Sequence, residues 1–240
     1  MSYRQATCHP APCLFFILPL LVAYEYGVLS IGDGQSALRN GADVLLRTAL
    51  AALGLKGGLV APLVLFFILF IWAFRRRNDP PDDAAAICMG MFLESVAIGL
   101  VLWMLSRHFG AIVDYFGVRL ALAGGEDVPI AIGGTAAITF LGAGIYEEVL
   151  FRLVLFTGLS KGLRLALMPR GLAEVGAALA AAGAFAVVHH LGPSGEPVNG
   201  YVFVFRVLAG LYFTAVYQFR GLGIAVGAHA CYDVLVGVAM

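Results

Sequence analysis

The chain has 240 residues, of which 61% are hydrophobic and only 12% charged, with a formal net charge of zero and a mean hydropathy of +0.91. Soluble domains carry about 25% charged residues, so this composition excludes an ordinary water-soluble domain. It predicts an all-α integral membrane protein, one domain's worth of chain, with no room for a soluble catalytic module. With no basic run longer than Arg75-Arg76-Arg77, nothing on the chain attracts a polyanion, and nucleic acid is not an expected partner.

In chain order, Met1 to Pro12 is a short polar lead, and Cys13 to Ser30 is the first apolar run long enough to cross a bilayer. No Ala-x-Ala-type site follows it, so it reads as an uncleaved span. Glu25, between Tyr24 and Tyr26, is expected near an interface, where aromatic residues gather. Ile31 to Gly58 mixes Leu and Val with Arg39, Asp43, Arg47 and Lys56, which suits a helix lying on the surface better than one crossing. Leu59 to Phe74 is the second span, stopped by three arginines, and Asn78 to Asp83 is a turn. Ala84 to Leu105 is the third span and carries Glu94. Arg107 to Asp127 is an amphiphilic connection.

The fourth span runs from Val128 to about Leu159, longer than the ~20 residues a crossing needs, so it must tilt, protrude, or bend at Gly142 or Gly144. Lys161 to Gly171 is a basic loop, and Leu172 to His190 an alanine- and glycine-rich fifth span suited to close helix packing. Leu191 to Asn199 is a Gly/Pro loop. Gly200 to Phe219, with Arg206 inside, is the sixth span, and Leu222 to Ala239 the seventh. Seven spans place eight of the 15 basic residues on the N-terminal side, which predicts a cytoplasmic N-terminus, in a plasma or inner membrane. Promoting Ile31–Gly58 to a span makes eight and reverses that. The expected organisation is a single membrane domain in which residues 1–127 brace a core at 128–240.

The cysteines, Cys8, Cys13, Cys88 and Cys231, show no paired spacing and read as packing residues. The informative groups are charges inside apolar runs. Gly144-Ile-Tyr-Glu-Glu-Val-Leu-Phe-Arg152 places two adjacent carboxylates in hydrocarbon, at a cost of about 2.5–3.5 kcal/mol on insertion scales for an acidic residue. Glu148 and Arg152 are four apart, share a helix face and can pair. Glu147 is turned about 100° away, free to face something else. A glutamate beside a second carboxylate in low dielectric suits general acid–base work. His229 and Asp233 are likewise four apart in the last span. Arg206 and Glu94 are further intramembrane charges, expected to pair with each other or with the site carboxylates.

Three strings on three separate apolar segments fall in order: Glu147-Glu148-x-x-x-Arg152, then Phe185-x-x-x-His189, then His229-x-x-x-Asp233. This arrangement resembles the CAAX-protease and bacteriocin-processing (CPBP) family of intramembrane endopeptidases, which includes the type II CAAX prenyl proteases. The resemblance covers about the last half of the chain. It implies an intramembrane protease acting on a membrane-associated peptide or protein, with Glu147 activating water and His189 and His229 in the site. Between the adjacent histidines, Phe185 four positions earlier selects His189 over His190. The family often has asparagine where Asp233 stands. An aspartate cannot donate to an oxyanion unless protonated, so Asp233 is expected to orient His229 or to bind a metal. Glu148 and Arg152 are expected to support. The resemblance favours a site without cofactor. Glu147, His189 and His229 are also a possible ligand set for a divalent metal such as zinc, although no His-Glu-x-x-His string is present.

Other readings of the same residues stand beside this one. Buried Glu and His chains make proton relays in transporters, and a member of such a family can serve as an immunity or binding factor with an idle site. Gly192-Pro-Ser194-Gly195 with a later histidine resembles rhomboid serine proteases but leaves the Glu-Glu string unexplained. A protease requires Glu147, His189 and His229 on one cavity, within roughly 8 Å of one another; a relay requires them strung across the bilayer.

Overall fold

In lipid every backbone N–H and C=O must be satisfied within the chain, and apolar runs of this length do that as helices. The computed structural model describes residues 1–31, 39–79, 81–115, 134–191 and 195–238, and among these every regular element is helical. The Gly192–Ser194 part of the rhomboid-like string, the Gly-rich end of the amphiphilic connection and the Val128 start of the fourth span lie outside the described residues.

The elements are α1 (Tyr3–Thr7), α2 (Pro10–Ser30), α3 (Gly41–Ala52), α4 (Val60–Arg75), α5 (Ala84–Tyr115), α6 (Gly134–Glu148), a π-helical segment (Val149–Phe156), α7 (Thr157–Leu165), α8 (Arg170–Val188), α9 (Gly200–Arg220) and α10 (Leu222–Val238). Helices α2, α5, α8 and α9 are long and apolar enough to cross a membrane, and α4 and α10 are shorter apolar helices. Phe67, Ile71, Phe92, Leu93, Leu172 and Val175 are each more than half exposed. In water such a surface would drive aggregation; against lipid tails it costs nothing. The protein is a polytopic helical membrane bundle.

Helix α10 is the axis of the bundle. It packs against α2, α5, α6 and α9, and from Leu222 to Ala230 it is almost wholly buried. Its small residues let neighbours approach closely. The approach of α6 depends on Gly144: a Cβ there would lie 2.8 Å from the Val226 carbonyl oxygen and 2.9 Å from the Ala230 Cβ. The turn from α9 into α10 is made by Gly221 alone, at φ 91°, a region that favours glycine.

Three local features differ from the sequence reading. Of the alternatives for the fourth span, a bend at Gly142 or Gly144 leaves no break in the helix: α6 runs through both, which serve close packing, and the irregularity is the π-helical segment that follows Glu148. There the hydroxyl of Thr157 donates to the Arg152 carbonyl five residues back at 3.0 Å, where a widened turn leaves it accessible. The third span continues as helix to Tyr115, into the expected connection. The segment read as a surface helix does form α3, about 18 Å long at 1.5 Å per residue and too short to cross, but its charged face points inward. Asp43 is fully buried while Val44 and Leu45 are exposed.

Charges in the bundle outside the three motif strings are paired among the described residues. Glu25, only 6% exposed, takes Arg47 at 2.8 Å and Arg39 at 3.5 Å. Asp43 takes the same two arginines at 2.5 and 2.8 Å. Glu94 pairs with Arg220, and Arg206 with Glu196 at 2.8 Å, so neither of these intramembrane charges meets the other.

Candidate functional site

The three motif strings meet where α6, the π-helical segment, α8, α9 and α10 come together. Glu148, fully buried at the end of α6, contacts the Arg152 guanidinium at 3.0 Å across the start of the π-helical segment. The same oxygen of Glu148 accepts from His229 Nδ1 at 2.7 Å. A carboxylate cannot donate, so the Nδ1 proton is on His229 and its Nε2 points away from Glu148. Arg152, 1% exposed, also donates to the Gly210 carbonyl on α9 at 3.2 Å. It lies over the rings of Phe185 at 4.8 Å and Phe213 at 5.5 Å, a desolvated cation–π arrangement. Phe213 in turn stacks on His229, centroids 4.6 Å apart and planes 13° apart.

Glu147 faces elsewhere, as the 100° step between neighbours on a helix requires. Its Oε2 lies 4.0 Å from His189 Nε2 and 3.8 Å from His229 Nε2, and it is buried without a hydrogen-bond partner among the described residues. His189 is oriented from behind, its Nδ1–H donating to the Phe185 carbonyl one turn earlier at 2.8 Å. Both imidazoles therefore present Nε2 toward one oxygen. The separations exceed a direct hydrogen bond and match a small polar group shared between the three. Asp233 Oδ2 is 3.6 Å from His229 Nε2. The bond that orients His229 thus comes from Glu148 and not from Asp233. His190 turns away, its Nδ1 2.9 Å from the Glu196 carbonyl and its ring beside Phe203.

The carboxylate and both imidazoles line a cavity of about 390 Å³ with Asp233, Arg206, Phe205 and Tyr232. A second, smaller cavity of about 200 Å³ is also lined by Glu147 and His189, together with Asn40, Gly41 and Ala42. Here lies a contact that sequence reasoning missed: Asn40 Nδ2 donates to Glu147 Oε1 at 2.8 Å. Asn40 is the N-cap of α3, with Asp43 in the first turn; no local pattern shows what the other end of its amide touches, 107 residues away. Phe213 was also missed, since an aromatic residue in an apolar span carries no signal of its own.

Two histidines with Nδ1 engaged and Nε2 open are oriented as metal ligands often are. Their spacing to Glu147, at 3.8 and 4.0 Å, is wider than the roughly 3.4 Å between ligands at 2.1 Å from a tetrahedral ion. Among the described residues no group of three or more His, Cys, Asp or Glu has metal-holding geometry.

No curated protein and no solved structure matches the chain. The region that carries every site residue except Asn40, residues 130–235, matches the family model described as type II CAAX prenyl endopeptidase Rce1-like. Over this region, a little under half of the chain, the protein is similar to that family, the one that its three motif strings resemble.

Proposed function

We propose that the protein is an intramembrane endopeptidase that hydrolyses a peptide bond of a membrane-associated protein or peptide, with Glu147, His189 and His229 as its catalytic residues. The observation that carries this reading is the convergence of two imidazole Nε2 atoms, from separate helices, on one buried oxygen of Glu147 at 3.8 and 4.0 Å. A proton relay needs such groups in series along a path; here they share one point.

A water held between Glu147 Oε2 and His189 Nε2 loses a proton to Glu147 as its oxygen attacks the peptide carbonyl carbon. His189 keeps its Nδ1 proton on Phe185, so its Nε2 lone pair accepts from the same water and aligns it. The carbonyl oxygen gains the negative charge. His229, doubly protonated, donates Nδ1–H to Glu148 and Nε2–H to that oxyanion, a fixed donor on a buried ring. When the C–N bond breaks, Glu147 returns the proton to the leaving amine, so protons balance over the cycle. Glu148 and Arg152 hold the imidazole from behind. Asp233, 3.6 Å from His229 Nε2, supports the imidazolium from the cavity side. The aromatic wall of the cavity suits apolar peptide side chains, and residues 128–240 supply all of this chemistry while residues 1–127 brace it. No step requires a metal, and the wide ligand spacing favours the metal-free form.

The test is cleavage of a fluorogenic membrane peptide by purified protein in detergent or vesicles. Glu147→Gln is expected to abolish turnover while leaving the melting temperature near wild type, because among the described residues its buried oxygen has no charged partner closer than 3.8 Å. His229→Ala is expected to lower kcat by about 10²–10³, the usual effect of removing one oxyanion donor. Full activity of Glu147→Gln removes the proposal.

A further inference from the structure

Beyond the three catalytic side chains, we propose that Asn40, from the first half of the chain, is a positioning residue that sets the rotamer of Glu147. The inference rests on the proposed role of Glu147 as the base.

Asn40 caps α3 and uses both ends of its amide. Its Oδ1 accepts from the Ala42 N–H at 2.7 Å, and its Nδ2 donates to Glu147 Oε1 at 2.8 Å. The backbone N–H can only donate, so the first bond decides which end is oxygen and leaves the NH₂ group for Glu147. With Oε1 held, a carboxylate has one orientation left, and that orientation turns Oε2 toward the two imidazoles.

Asn40 is itself held rigidly. Its backbone N–H reaches the Tyr24 hydroxyl at 3.4 Å, and that hydroxyl donates to Asp43 at 2.9 Å. Asp43 and Glu25 share Arg39 and Arg47. Two carboxylates and two guanidinium groups make a cluster without net charge, so it anchors α3 without adding a field of one sign beside Glu147. The cluster reaches α6 through Tyr146, whose hydroxyl donates to Glu25 at 2.8 Å. Tyr146 and Glu147 are consecutive, so α3 grips α6 at two neighbouring residues, one through the charge cluster and one through Asn40. A twelve-residue helix too short to cross a membrane thereby fixes a side chain in the middle of the bundle.

The variant that separates capping from positioning is Asn40→Ser. Serine is as good an N-cap but lacks the reach to Glu147. For Asn40→Ser, kcat on the fluorogenic membrane peptide is expected to fall by about 10–100-fold, since misplacing a reacting group by about 1 Å can cost about 10²-fold, with KM within about twofold and the melting temperature near wild type. Asn40→Asp keeps the cap but sets a carboxylate against a carboxylate, and is expected to lose more. Wild-type kcat in Asn40→Ser overturns the inference, as does a loss matched by a collapse in melting temperature, which assigns Asn40 to folding alone. Glu147→Gln is assayed alongside: if it is active, the parent reading fails; if it is inactive and Asn40→Ser is fully active, only the positioning role fails.

Discussion

Replacing Glu148 by Gln removes one charge from a fully buried group with two partners, Arg152 at 3.0 Å and His229 Nδ1 at 2.7 Å. Arg152 is 1% exposed and among the described residues keeps the Gly210 carbonyl at 3.2 Å and two aromatic faces. At an effective dielectric of about 20 the lost ion pair is worth about 5 kcal/mol. The bonds a glutamine amide can still make offset part of that, which agrees with the about 3–5 kcal/mol measured when one partner of a buried pair is removed. Thermal unfolding of the purified variant in detergent is expected to show a large fall in melting temperature, and peptide cleavage to be lost, since His229 is no longer held by an anion. The double variant Glu148→Leu/Arg152→Met separates the two effects. Removing both charges together spares the desolvation of each, so much of the stability returns. Activity does not return, because nothing accepts from His229 Nδ1. A Glu148→Gln variant with wild-type melting temperature and turnover would refute the assignment, and so would recovered cleavage in the double variant.

Other outcomes follow from the same geometry. Asp233→Asn is expected to retain activity, because Glu148 and not Asp233 engages His229 Nδ1, and turnover is expected to be insensitive to strong chelators; loss in chelator restored by zinc would turn Glu147, His189 and His229 into ligands. His189→Ala is expected to lower cleavage by about 10²-fold as the group that aligns the attacking water is lost, whereas His190→Ala, whose ring faces Phe203 and the Glu196 carbonyl, should stay near wild type in the same assay. Gly144→Ala places a Cβ 2.8 Å from the Val226 carbonyl oxygen. It is expected to destabilise by about 1–3 kcal/mol in detergent melts and to slow cleavage by moving Glu147 away from His229.

By itself the sequence determined the membrane character, the helical class and the groups of interest. Hydrocarbon imposes a severe local rule: a charge in an apolar run is expensive wherever the run ends up, so Glu147, Glu148, Arg152, His229 and Asp233 stood out without any knowledge of the fold. The i,i+4 relation of Glu148 and Arg152 was legible for the same reason, because one turn of helix is a local object. Which charges meet across helices was decided only by the tertiary structure. Glu94 and Arg206 have the right signs to pair, yet each found a different partner, Arg220 and Glu196. His229 and Asp233 share a face, yet the orienting bond comes from Glu148, 81 residues earlier. Glycines that read as bends became contact surfaces, because whether a missing side chain serves flexibility or close approach depends on what lies opposite. The inward turn of Asn40, Asp43 and Arg47 was beyond the sequence as well. A short helix with charged and apolar faces is the same string whether water or a buried carboxylate receives its polar side, and only the packing of α3 against α4 and α6, with the ion pairs it makes to Glu25 of α2, decides which.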